Sequence, residues 1–169
     1  MKFPHLIFAA LVFSAAPLVH ADTATITVRG NVLPGTCTIA PTLDVTLDDI
    51  DATDLKAGQD NGLKPATLNF TGCVGVGSIV LTFSGTEDAA QDGHWKNGAS
   101  TGAATGVAVA LLDGPTGPTA IKNGDTRNVT VNGAATAKLE MGAGYYRKAG
   151  TPLVAGAVST QITVTADYK

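Results

Sequence analysis

The chain has 169 residues, 11 basic and 14 acidic side chains, a formal charge of −3, and 44% hydrophobic but only 5% aromatic residues. A weakly acidic chain has no electrostatic reason to seek nucleic acid or anionic lipid, so neither is expected as a partner. The length suits one domain with one core rather than several.

Residues 1–21 read as a secretory signal peptide. Lys2 gives a short basic start, Leu6 to Phe13 is a compact apolar run, Pro17 breaks it, and Val19-His20-Ala21 places small residues at −3 and −1 of a cleavage site. The run is too short to anchor in a membrane, and no later stretch approaches a span, so direct membrane insertion is not expected. Removing 21 of the 169 residues leaves 148, with a formal charge of −4.

A strand is predicted over 24–33. Ala24, Ile26, Val28, Gly30 and Val32 alternate with Thr25, Thr27, Arg29 and Asn31, which puts the two sets on opposite faces. Pro34-Gly35 interrupts it, and Thr36 to Ile39 continues the line. Leu43, Val45 and Leu47 alternate with Asp44 and Thr46, a second short strand. Residues 48–61 are acidic and loop-like, with one helical turn expected around 51–57. Asp48, Asp49, Asp51, Asp54 and Asp60 invite a calcium reading, but their spacing does not fit an EF-hand, and a solvated loop is the plainer account.

Further strands follow at Ala66, Leu68 and Phe70, running into Cys73; at Ile79, Leu81 and Phe83; at Val107, Val109 and Leu111, extended by Leu112; at Val129 and Val131; and at Leu139, Met141, Ala143 and Tyr145. The closing strand has Val158, Thr160, Ile162, Val164, Ala166 and Tyr168 on one face and Ser159, Gln161, Thr163, Thr165 and Asp167 on the other. It is rich in β-branched residues, which suit a pleated surface. Asn-Gly and Asp-Gly pairs such as Asn61-Gly62, Asn97-Gly98 and Asn132-Gly133 mark turns. About eight short strands and no helix of ten residues predict an all-β sandwich. An apolar edge strand at the end of a chain must be covered by its own fold or pair with another molecule.

Cys37 and Cys73 are the only cysteines. In an exported chain an isolated pair most simply reads as one disulfide, ahead of two free thiols or a metal site. Catalytic constellations are missing. His94 is the one histidine after position 21, Glu87 and Glu140 are the only glutamates, and no nucleophile elbow, zinc motif or phosphate loop is present. The chain is not expected to be an enzyme or to need a cofactor. His94 and Trp95 could form a carbohydrate-stacking patch; the plainer reading is a loop whose tryptophan folds over the sandwich end. Of Tyr145 and Tyr146, one ring is expected inside and one outside. Asn69-Phe70-Thr71 and Asn128-Val129-Thr130 match the glycosylation acceptor pattern but fall on predicted strands.

Four features together carry a resemblance. They are the alternating stretch 24–32 with a glycine on its apolar side; Cys37 just after it, with Cys73 preceded by a strand and Thr71-Gly72; Gly156, fourteenth from the end; and Tyr168, second from the end of an alternating strand. Over its length past the signal peptide the chain resembles the pilin subunits of chaperone–usher fimbriae of the type 1 kind, and its opening is most similar to minor linker subunits near the tip.

The resemblance implies an incomplete immunoglobulin-like β-sandwich that lacks its final strand. It implies a donor-strand extension over 22–35, running into the first strand, and a pilin domain over 36–169. Ala24, Ile26, Val28, Gly30 and Val32 would be the donor face inserted into a neighbouring subunit. Val158, Thr160, Ile162, Val164 and Ala166 would line this subunit's own acceptor groove, with Gly156 and Tyr168 as the C-terminal signature. Cys37–Cys73 would staple the first strand to the sandwich. The implied partners are neighbouring pilin subunits, a periplasmic chaperone that lends a strand, and an outer-membrane usher where exchange occurs. The implied destination, reached through the periplasm, is a cell-surface fimbrium, where the subunit is structural and supports adhesion. The alternative is a secreted sandwich that itself recognises a surface glycan or receptor.

Overall fold

A computed structural model describes residues 25–90 and 93–169. The signal peptide expected over 1–21, together with residues 22–24, 91 and 92, lies outside the described residues. By its contacts the chain divides into two units, 1–31 and 32–169. In the first unit, residues 25–31 form no strand, and Ile26 and Val28 are 86% and 88% exposed. The strand expected over 24–33 is therefore not formed in its described part. A strand needs a ladder partner for its backbone groups as well as an alternating sequence.

The second unit holds seven strands among the described residues: β1 Thr38–Ile39, β2 Asp60–Thr71, β3 Ser78–Gly85, β4 Val107–Asp113, β5 Thr126–Thr130, β6 Thr136–Arg147 and β7 Ile162–Tyr168. No helix occurs among the described residues. One sheet has the order β1-β2-β6-β4 and the other β5-β3-β7. Every ladder is antiparallel. The main core contains Leu68 and Phe70 from β2, Ile79, Leu81 and Phe83 from β3, Val109 and Leu111 from β4, and Met141 from β6. These are the inward positions of strands whose alternation the sequence displays.

Several boundaries differ from expectation. β2 starts at Asp60, six residues before Ala66, and pairs with β6 through a register shift between Asn61 and Lys64. Gly62 takes a φ of 57° there, a left-handed value that glycine accepts without penalty. Pro65 is tolerated because β1 covers only Thr71 and Phe70, leaving β2 an edge strand at the proline. The expected strand at Leu43, Val45 and Leu47 is not formed. Val45 and Leu47 are half-buried while Thr46 is exposed, so the alternation survives without a ladder. The turn expected over 51–57 is a single one, with Asp54 N donating to Asp51 O at 2.9 Å. The 48–61 loop is held by Asn61, whose Nδ2 donates to Gln59 O at 2.7 Å and whose Oδ1 accepts from Lys56 N at 2.9 Å. Arg147 Nη1 donates to Leu55 O at 3.1 Å.

Cys37 and Cys73 form a disulfide spanning 36 positions. Cys37 sits immediately before β1, and Cys73 lies two residues past β2. A first strand with two paired residues is thereby fixed covalently to its neighbour.

Candidate strand-acceptor groove

The site is the free edge of β7. β7 pairs with β3 from Ile79↔Tyr168 to Gly85↔Ile162. No strand pairs with its other edge among the described residues. The alternation read from the sequence is realised from Val158 to the terminus. Val158, Thr160, Ile162, Val164, Ala166 and Tyr168 are all half-buried, and every residue between them is exposed. Val158, Ile162, Val164, Ala166 and Tyr168 pack against the main core. On the neighbouring strand Ile79, Leu81 and Phe83 are 0% exposed. Both strands face the same core, but only β3 is covered on both sides. The inward face of β7 is thus an apolar groove open along one edge.

The first-strand region supplies further apolar side chains. Ile39 and Val45 pack against the same core and are half-buried, and Leu43 is exposed. Tyr168 ties the two regions together, its hydroxyl donating to Cys37 O at 3.0 Å. The last strand and the disulfide-anchored segment therefore meet at that end.

At the other end, residues 156–159 run before the β7 ladder begins. Ala157 N donates to Gly102 O at 2.7 Å, Ala104 N to Ala157 O at 2.9 Å, and Gly98 N to Ser159 O at 2.7 Å. Gly156 belongs to this close backbone approach. A Cβ there would collide with the Gly102 carbonyl oxygen and come within 2.7 Å of Ala104 N, so the glycine has a steric reason inside its own subunit. Next to it lies a cavity of about 230 Å³ lined by Leu55, Ala104, Val107, Leu153, Gly156 and Val158. Tyr145 also borders it, and its hydroxyl donates to Asp48 O at 3.1 Å. Burial, with Asp49 and Asp48 nearby, raises the Tyr145 pKa above its ordinary value, partly offset by Lys64.

Other expected positions differ. Trp95 neither folds over the sandwich end nor forms a carbohydrate-stacking patch with His94; its ring lies in the main core. Trp95 is 0% exposed, its Nε1 donates to Ile121 O at 2.9 Å, and its backbone exchanges two hydrogen bonds of 2.8 Å with Val109. It acts as a one-residue addition to the edge of β4, with its ring in the core. His94 stacks on Tyr146 with ring centroids 3.7 Å apart and faces Asp60, Nε2 to Oδ1 3.3 Å. Tyr145 and Tyr146 are both half-buried, rather than one in and one out, because each has a polar or aromatic partner at the sheet surface. Among the described residues no three His, Cys, Asp or Glu side chains come together as metal ligands.

The sequence reading missed Asn97. Asn97-Gly98 signals a turn and nothing more, whereas the side chain bridges 97–104 to 157–159. A hydrogen-bonding asparagine within a turn dipeptide has no periodic signature that would reveal such a role.

Comparison with known proteins places this geometry. The family described as Fimbrial protein matches residues 26–169. The chain is 33% identical to the S-fimbrial adhesin protein SfaS of Escherichia coli O6:K15:H31 (strain 536 / UPEC), over 99% of each chain. It is 32% identical to the protein FimG of Escherichia coli K12, over 75% of this chain and 73% of that one. In fold it is similar to the P pilus rod subunit PapA, with a TM-score of 0.63 at 18% identity, covering 80% of this chain and all of that one. The open-edged sandwich is therefore an incomplete immunoglobulin-like fold. Matched from Ile26 to its last residue, this chain belongs to the fimbrial protein family, the structural subunits of surface fimbriae that support adhesion.

Proposed function

We propose that this subunit polymerises head to tail by donor-strand exchange, and that the open edge of β7 is its acceptor. The observation that carries the reading is the contrast between neighbouring strands: inward side chains fully buried on β3 and half-exposed all along β7. A strand added at that edge would satisfy the free backbone groups of β7 and cover Val158, Thr160, Ile162, Val164 and Ala166. The donor would be the extension of a neighbouring subunit, with Ala24, Ile26, Val28, Gly30 and Val32 facing inward. Buried Ile and Val side chains contribute roughly 1.5 kcal/mol or more apiece, so dissociation is slow. Because each subunit donates at one end and accepts along another surface, the contact does not close and a filament results.

In this reading a periplasmic chaperone lends the missing strand during export, and an outer-membrane usher is where the neighbour's extension replaces it. Strand exchange breaks no covalent bond, so the subunit needs neither catalytic residues nor a cofactor. Deleting residues 22–32 should give a subunit that still forms a chaperone complex and accepts a donor strand, but cannot insert into a neighbour. Normal polymerisation of the truncated chain would refute the reading.

A second reading is favoured by the full-length likeness to SfaS, a protein named as an adhesin. The subunit would then also touch the adhesion receptor directly. Reproducible binding of a strand-complemented monomer on a glycan array would support it, and a blank array would count against it.

A further inference from the structure

The acceptor strand is shorter than the donor it would receive. The proposed donor face runs from Ala24 to Val32, nine residues, whereas the β7 ladder covers seven, Ile162–Tyr168. The five proposed acceptor positions, Val158 to Ala166, also span nine residues, but of these only Ile162, Val164 and Ala166 lie in that ladder, and Thr160 and Val158 precede it. These two residues lie outside the ladder with β3, because β3 ends at Gly85 opposite Ile162. The segment before β7 is held instead by the 97–104 segment, through the backbone bonds Ala157 N to Gly102 O, Ala104 N to Ala157 O and Gly98 N to Ser159 O and through one side chain.

Asn97 is that side chain. Its Nδ2 donates to Ala157 O and to Ala104 O, both at 3.0 Å, and its Oδ1 accepts from Ser159 N at 3.0 Å and Ala99 N at 3.2 Å. One half-buried side chain thus uses both donors and an acceptor to hold residues 157 and 159 against the 97–104 segment. Residues 157 and 159 are the outward neighbours of Val158, so fixing their backbones fixes the direction of the Val158 side chain. Gly98 N to Ser159 O and Ala104 N to Ala157 O run alongside. Removing the asparagine leaves these backbone bonds with no side chain bridging them.

We propose that Asn97 is a positioning residue for strand uptake, extending the acceptor groove beyond the β7 ladder so that it matches the full donor face. The inference rests on the donor-strand reading above. It also gives the donor a polarity. Ladders between the named strands are antiparallel, with a parallel bridge at Ala103 and Ala157, and a donor in antiparallel register lays its Gly30–Val32 end beside Thr160 and Val158. Asn97 should therefore matter for that end of the donor and not for its Ala24–Ile26 end.

The test uses the mature chain in complex with its chaperone and follows displacement of the chaperone by synthetic peptides. One peptide spans 22–33, a second stops at Val28, and a third starts at Val28. The variants are Asn97→Ala and Asn97→Asp. The second keeps the two accepted bonds and loses the two donated ones, and recovery of the chaperone complex reports folding for both. Uptake of the 22–33 peptide should slow roughly tenfold, the scale of one or two neutral hydrogen bonds. The peptide stopping at Val28 should enter wild type and variants alike, whereas the one starting at Val28 should show the full loss. Equal losses for both short peptides would mean a general structural role and overturn the proposal, as would no loss with the full peptide. Failure of all three peptides to enter the wild-type subunit would instead overturn the donor-strand reading itself.

Discussion

Removing the disulfide should cost this subunit much of its stability, because few other contacts secure its first strand. β1 pairs with β2 through Thr38 and Ile39 alone; beyond that ladder, Ile39 packs on the core, Val74 N donates to Thr36 O, and the Tyr168 hydroxyl donates to Cys37 O. The bridge closes a loop with a sequence separation of 36. On the chain-entropy argument, a loop of that length stabilises the fold by about 4 kcal/mol through constraint of the unfolded chain. For a domain of this size that corresponds to a fall in Tm of roughly 10–15 °C. The assay is thermal unfolding of the mature chain with a peptide of residues 22–33, the proposed donor, bound, comparing wild type with Cys37→Ser, Cys73→Ser and the double variant. The single and double variants should agree closely, since either change opens the same loop. A double variant melting with wild type would refute the reasoning and place the anchoring of the first strand in β1 and Tyr168.

Trp95→Ala should cost about 3–5 kcal/mol, the range for emptying a buried aromatic site, because the ring is fully buried and bonded to Ile121 O; the denaturant midpoint of the peptide-bound subunit reads it, and a change near zero would contradict the placement of Trp95 in the core. Tyr145 gives a pH dependence. Its pKa is raised in the fold above the ordinary 10.0, so the folded state holds the proton more tightly than the unfolded chain does. The associated stability is fully present below pH 10.0 and is lost as the pH rises through the higher folded value. Denaturant melts across that alkaline range should show a decline that Tyr145→Phe reduces, and an identical decline in the variant would rule out this source.

The sequence displayed the groove well because alternation is a property of one strand at a time. Ile79, Leu81 and Phe83 read as a strand and are one, and Val158 to Tyr168 keeps its period to the last residue. Period-two alternation, however, does not say whether a partner exists. Leu43, Val45 and Leu47 alternate as clearly as β3, yet with no ladder they form no strand. Residues 25–33 show the same limit. The reverse error fell on β2, where Asn61-Gly62 read as a turn before the strand but lies within it, carried by a bulge. Trp95 could not be placed from its neighbours in sequence, since its burial depends on Val109 and Ile121, both distant along the chain. Asn97 was hidden for the same reason.

The position of Cys37 also decides how a filament would bear tension. A pull on the proposed donor extension reaches the body of its subunit at Cys37, before β1 begins, and crosses the Sγ–Sγ bond to Cys73 just past β2. β2 is held to β6 by a long ladder. In such a filament, load would pass from the extension into one of the longest paired strands without testing the two residues of β1. At the far end of the extension, a strand lying beside β7 would be loaded along its own length, so its ladder bonds share the force together instead of opening one after another. The weakest ladder in the fold would be bypassed, and the resistance of a proposed filament to stretching would fall on a covalent bond and on strands pulled in shear.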